Sequence, residues 1–276
     1  MSFVCLEKGG TVGHTPEPTP VLALWSAPRS RSTAFARMMT EREDRVVVHE
    51  PFSQVVDFGE VKVGEQVARS EQDVLAALRG IAARTPVFFK DTTDFHYPAV
   101  LADQDFLTGA THTFIIRHPA EAIASHHALN PDLGREEIGF ARLFEIFAAV
   151  QAATGAVPVV IDSDDLLDRP AETVRAYCAA VGIPFMEEAL SWQPGMRSEW
   201  RATSKWHAST SATAGFGRGG GDGGEGSSEG SGDGSGDRSA SRAKAVEKVQ
   251  GHPVLRAHCD YHLPYYEKLR AAALRP

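Results

Sequence analysis

The stretch from Val21 to Met38, VLALWSAPRSRSTAFARM, constrains this chain more than any other. Its opening apolar run, Val21 to Trp25, reads as a short buried strand. The chain then turns through Ser26-Ala27-Pro28 into the polar segment Arg29-Ser30-Arg31-Ser32-Thr33. Ala34, Phe35, Ala36 and Met38 follow, helix-compatible and largely apolar. The order is strand, polar loop, helix. The start of a helix carries unpaired backbone N–H groups and a partial positive charge. Here three hydroxyls add donors and two arginines add fixed charge. An oxyanion such as phosphate or sulfate wants that many short donors in one concavity.

Four further apolar or β-branched runs continue the pattern: Arg45 to His49, Val87 to Phe89, Thr111 to Ile116, and Val157 to Ile161 with Pro158 near its start. Helical segments alternate with them. Ser70 suits an N-cap for a helix from Glu71, with Val74, Leu78 and Ile81 on one face. Arg135 to Ala153 reads as one long helix whose Phe140, Phe144 and Phe147 face the core. Pro170 opens a helix that presents Val174, Cys178 and Val181 inward and stops at Gly182. Strands alternating with helices predict an α/β fold with a central parallel sheet of about five strands flanked by helices. Ser53 to Ser70 has no clear periodicity. His126 and His127 lack a metal-spacing partner and read as helix surface.

Composition divides the chain. Residues 1–20, with Gly9-Gly10 and three prolines, read as a flexible leader. Residues 21–216 read as the α/β domain. Residues 217–242 are Gly, Ser, Asp and Glu with almost nothing apolar, so they read as a disordered insert. Residues 243–276 regain ordinary composition and are expected to return to the same domain as closing helices. The net charge of −8 argues against a nucleic-acid surface and against a polybasic membrane anchor. Cys5, Cys178 and Cys259 are far apart and show no metal spacing, and there is no signal peptide, so the cytoplasm is the expected compartment. No apolar run reaches membrane-spanning length. The acidic pair Asp164-Asp165 stands before a helix and reads as a cap rather than a metal site.

Pro28-Arg29-Ser30-Arg31-Ser32-Thr33, after a strand, resembles the 5′-phosphosulfate loop of sulfotransferases that use 3′-phosphoadenosine 5′-phosphosulfate (PAPS). That loop usually has glycine where this chain has Arg31. A second resemblance lies at Arg117-His118-Pro119 with Ser125 eight residues after the arginine. In the family, an arginine at a strand end and a serine in the next helix bind the 3′-phosphate. Arg117 can grip a phosphate with two parallel hydrogen bonds, whatever the family. The resemblance covers roughly Val21 to Phe185 and implies a P-loop-like fold, PAPS as sulfuryl donor, a small-molecule acceptor with a hydroxyl, and no metal. It implies cofactor contacts from Arg29, Ser30, Arg31, Ser32, Thr33, Arg117 and Ser125.

For catalysis, Arg29 would meet charge on the leaving group, and Lys90, at the end of the third strand, would be a second cation. Three residues are candidates to take the acceptor's proton. Glu50 ends the second strand, and ligands of parallel sheets bind beyond the carboxyl ends of the strands. Asp91 and His96 follow it in rank; the family's usual histidine position is occupied by Thr92. Trp200, Arg201 and Lys205 are candidates to close over the adenosine, against the simpler expectation that this segment only packs its tryptophans. Two other functions stay open: a phosphotransferase, although the sequence G-x-x-x-x-G-K-[ST] is missing, and a nucleotide-binding protein without catalysis.

Overall fold

The computed structural model describes residues 20–201, 203–216 and 235–276, and its centre is a five-stranded sheet. The strands are β1 (Val21–Ser26), β2 (Val46–His49), β5 (Val87–Thr92), β6 (Thr111–Ile116) and β7 (Val159–Asp162), in spatial order β2-β5-β1-β6-β7 and all parallel. β1 therefore lies in the middle, as its apolar run requires. Its side chains alternate between two cores: Val21, Ala23 and Trp25 belong to one face, Leu22 and Leu24 to the other. β6 does the same, with Phe114 and Ile116 opposite Ile115. Both faces are covered, as parallel sheets require.

Helices α1 (Ser32–Glu41) and α9 (Pro170–Val181) supply Phe35, Met38, Val174 and Tyr177 to the core that holds Leu24. Helices α3 (Glu71–Ala82), α7 (Phe140–Thr154) and α12 (Pro253–Ala271) supply Val74, Leu78, Phe140, Phe147, Tyr266 and Leu269 to the other. Ser70 caps α3 through its side chain, which accepts from the Asp73 amide. Helix α6 (Pro119–Leu129) starts at a proline after β6. Helix α11 (Ser235–Gln250) packs on α6 and α12. Beyond α12, Ala273 bridges to Val160 and covers the outer edge of β7.

The structure departs from the sequence reading in five places. The stretch without periodicity folds as helix α2 (Pro51–Phe58) and a hairpin of β3 (Val61–Val63) and β4 (Gln66–Ala68). Three-residue strands are too short to display alternation. The long helix expected from Arg135 is broken: a single 3₁₀ turn, Glu136–Ile138, precedes Gly139 at φ 82°, and α7 starts after it. A Cβ on Gly139 would lie 2.8 Å from the Thr93 carbonyl oxygen and 2.9 Å from Pro28 Cδ, so the break seats the backbone against the polar loop. β7 begins after Pro158, which cannot donate to the ladder. His126 is buried rather than on the helix surface, edge-on to Trp206. The boundary drawn at residue 242 falls inside α11. The rest of the low-complexity stretch, residues 217–234, lies outside the described residues, as do residues 1–19 of the expected leader.

Candidate active site

The carboxyl ends of β1, β2, β5 and β6 open into a cavity of about 1120 Å³. It lies at the upper end of the size range of small-molecule sites. The polar loop and the first turn of α1 form one wall through Arg29, Arg31, Ser32 and Thr33. Arg31, at the N-cap, makes no side-chain cap bond and no acidic residue occupies the first turn, so this helix start offers the partial positive charge that suits an anion. Arg29 and Arg31 both have left-handed backbones, at φ 65° and 64°. That geometry curls the loop around Ser30 and costs about 1–2 kcal/mol at each position. It also explains why a related loop favours glycine where this chain has Arg31. The Arg31 guanidinium leaves the loop to meet Ser163 Oγ at 3.0 Å and Asp164 Oδ1 at 3.3 Å.

The two sequence motifs meet directly. Arg29 Nε donates to Ser125 Oγ at 3.0 Å, and Arg117 Nη1 donates to the Arg29 carbonyl at 3.3 Å. Glu121, in the first turn of α6, stands 3.9 Å from Arg117 Nε as an ion pair. Arg242 of α11 reaches the same Glu121 at 3.3 Å and also pairs with Asp164. The chain of charges Arg117–Glu121–Arg242–Asp164–Arg31 thus ties four separate segments together. Arg242 belongs to the stretch that composition assigned to a disordered insert.

On the opposite wall Lys90 is buried and paired with Glu50 Oε1. Glu50 is the hinge between β2 and α2, left-handed at φ 49°, with Pro51 as the first residue of the helix. Burial alone would raise its carboxyl, but the Lys90 ammonium overrides burial and holds it at about 2. Asp94 also lines the cavity. Burial dominates there, helped by the Glu50 charge and opposed by the Thr92 hydroxyl and Lys90, and its carboxyl rises to about 6. Its Oδ1 is buried without a hydrogen-bond partner among the described residues. The sequence reading passed over Asp94, which stands in a loop with no spacing signature.

Two expected residues lie elsewhere. Asp91 is fully buried beneath the site and accepts from the amides of Phe52 at 2.6 Å and Ser53 at 3.3 Å and from the Ser53 hydroxyl. It caps the start of α2, and burial raises it to about 7. Strand β5 runs on through Thr92, so Asp91 is inside the sheet and not at its rim. His96 is half exposed and faces Glu145 at 3.4 Å, outside the cavity lining.

The segment after α9 contributes more than packing. Helix α10 (Ser204–Ser211) brings Lys205, Trp206 and His207 to the cavity, and the Trp206 carbonyl accepts from Arg29 at 2.8 Å. Trp200 is buried against the rings of His49 and His207. Arg201 is exposed and outside the lining. Burial lowers His207 to about 3, so its ring is neutral. No local spacing links His207 to Glu50; only the fold does.

A family model described as a sulfotransferase domain matches residues 21–228, about three quarters of the chain. The chain belongs to the sulfotransferase domain family. Two curated relatives from Arabidopsis thaliana, branched-chain-amino-acid aminotransferase-like proteins 1 and 2, are each 26% identical to this sulfotransferase, over 71% and 69% of its length. The chain covers only 36% and 35% of those proteins. Among solved structures, the sulfotransferase domain from the curacin biosynthetic pathway aligns at TM-score 0.39 and 15% identity, over 63% of this chain and 77% of that one. The sulfotransferase domain of the Synechococcus PCC 7002 olefin synthase aligns at TM-score 0.35 and 17% identity, over 67% and 80%.

Proposed function

We propose that this sulfotransferase takes the sulfuryl group from PAPS and passes it to the hydroxyl of a small-molecule acceptor. One observation carries the reading: Arg29 of the loop and Arg117 line the same cavity and are joined by direct hydrogen bonds, with Ser125 buried against Arg29. In this reading the amides of the α1 start, with Arg29, Ser30, Ser32 and Thr33, hold the 5′-phosphosulfate. Ser30 is fully buried and outside the cavity lining, so in this reading it contributes its backbone and not its hydroxyl. Arg31 contributes its backbone, since its guanidinium is engaged by Asp164. Arg117 and Ser125 hold the 3′-phosphate.

The acceptor oxygen forms a bond to sulfur as the bond from sulfur to the 5′-phosphate oxygen breaks. Arg29 stabilises the charge that collects on the departing phosphate, and Lys90 stabilises the transferring group. The acceptor's proton goes to a carboxylate. Glu50, first in rank from the sequence, is paired with Lys90 and is a weak base at about 2. Asp94, raised to about 6, is poised close to working pH. We assign the proton to Asp94, and to Glu50 the positioning of Lys90. The test is release of adenosine 3′,5′-bisphosphate from PAPS with a panel of small alcohols and phenols. Acceptor-dependent release supports the reading; phosphoryl transfer from ATP to the same panel, with PAPS inert, refutes it.

A further inference from the structure

We propose that His49, Glu50 and His207 form a binding site for one divalent transition-metal ion of the zinc class. The three donor atoms come from the end of β2 and from α10. His49 Nε2 and His207 Nε2 are 3.3 Å apart, Glu50 Oε2 is 3.5 Å from His49 Nε2, and it is 4.0 Å from His207 Nε2. Ligands around a tetrahedral zinc ion at bond lengths of about 2.0–2.1 Å lie about 3.3–3.4 Å from one another. The triangle is therefore close to the face of such a tetrahedron. The rings stand at 76° with centroids 4.8 Å apart, and His207 Nε2 is within hydrogen-bond distance of both His49 Nε2, at 3.3 Å, and Thr203 Oγ1, at 3.0 Å, contacts that a bound ion would replace.

The surroundings orient the donors. Thr33 Oγ1 stands 3.3 Å from His207 Nδ1 and can accept its proton, which leaves Nε2 with the lone pair a metal takes. Lys90 holds Glu50 Oε1 and leaves Oε2 toward the histidines. Trp200 packs on both rings and keeps them in place. Two imidazoles and one carboxylate oxygen suit zinc, cobalt or iron better than the oxygen-seeking ions magnesium and calcium. The Lys90 charge opposes any cation, which favours an ion that binds nitrogen strongly. Glu50 and His207 line the cavity, so a fourth position faces it. An acceptor oxygen bound there would become more acidic. The sequence offered no sign of this site because His207 is 158 residues from His49.

Thr33 and Glu50 also serve the proposed donor site, so the test is made without the sulfuryl donor and reads metal alone. Chelator-stripped full-length protein is titrated with Co(II), followed by displacement with Zn(II). One equivalent per chain is expected, with visible absorption of tetrahedral intensity. His49→Gln and His207→Gln should each weaken binding about a hundredfold or more. His127→Gln and His252→Gln, at another histidine pair whose rings are 5.5 Å apart, should leave it unchanged. No stoichiometric uptake, or uptake that survives His207→Gln and disappears with His252→Gln, overturns the proposal. If His207→Gln unfolds, Thr33→Val keeps the ring packed and removes only its Nδ1 partner. That variant should weaken cobalt binding about tenfold, and an unchanged affinity also overturns the proposal.

Discussion

Arg117 and Asp94 carry the sharpest consequences of this geometry. Arg117→Ala removes the guanidinium assigned to the 3′-phosphate and leaves Glu121 facing the cavity wall with Arg242 as its remaining cation. Affinity for adenosine 3′,5′-bisphosphate should fall by about 2–3 kcal/mol, the value of a charge-assisted pair. Affinity for adenosine 5′-phosphosulfate should barely change. An equal loss for both, measured by calorimetry, would mean that Arg117 does not read the 3′-phosphate. Asp94 sets a pH dependence. Its charge answers to Glu50 and Lys90, the Thr92 hydroxyl lowers it, Arg142 bonds its carbonyl, and the Tyr97 phenol lies within its field. A base must be deprotonated to act, so kcat/KM should rise with pH through a limb near 6 and level above it. Asp94→Asn should lower turnover by about a hundredfold or more and abolish that limb. Turnover that stays normal in Asp94→Asn and falls in Glu50→Gln would return the proton to Glu50.

At the scale of elements, the strands and the helix starts were legible because β1 and β6 are continuous apolar runs and Ser70, Pro119 and Pro170 mark helix beginnings. The α2 helix was hidden because its N-terminal partner, the Asp91 carboxylate, comes from a strand 38–39 residues away. The break before α7 was hidden because Gly139 answers to Thr93 and Pro28 and not to its own neighbours. Gly139→Ala should therefore be costly. It forces a Cβ into a left-handed residue and into contact with the Thr93 carbonyl, at about 2–4 kcal/mol together. Urea unfolding measures this directly; a change under about 0.5 kcal/mol would show that the turn has room. Because Thr93 adjoins Asp94 and Pro28 adjoins Arg29, turnover should fall with it.

Over the whole molecule, the anion motifs were legible and the far side of the cavity was not. Loop and strand-end residues announce themselves by local order: Arg29 to Thr33 after β1, Arg117 and Ser125 after β6. His207 meets His49 and Glu50, and Arg242 meets Asp164, only through tertiary packing, so no window of sequence contains them with their partners. No helix among the described residues is long and apolar enough to cross a membrane. The central claim is that the cavity is built for a 3′-phosphorylated adenosine nucleotide, and thermal unfolding with competing nucleotides tests it most directly. At a hundred times its dissociation constant, adenosine 3′,5′-bisphosphate should stabilise the fold by about 2.7 kcal/mol. For a chain of this size that raises Tm by about 5–10 °C. ATP with magnesium, GTP and AMP at the same concentration should raise it far less. A rise with ATP and magnesium and none with the bisphosphate would contradict the account.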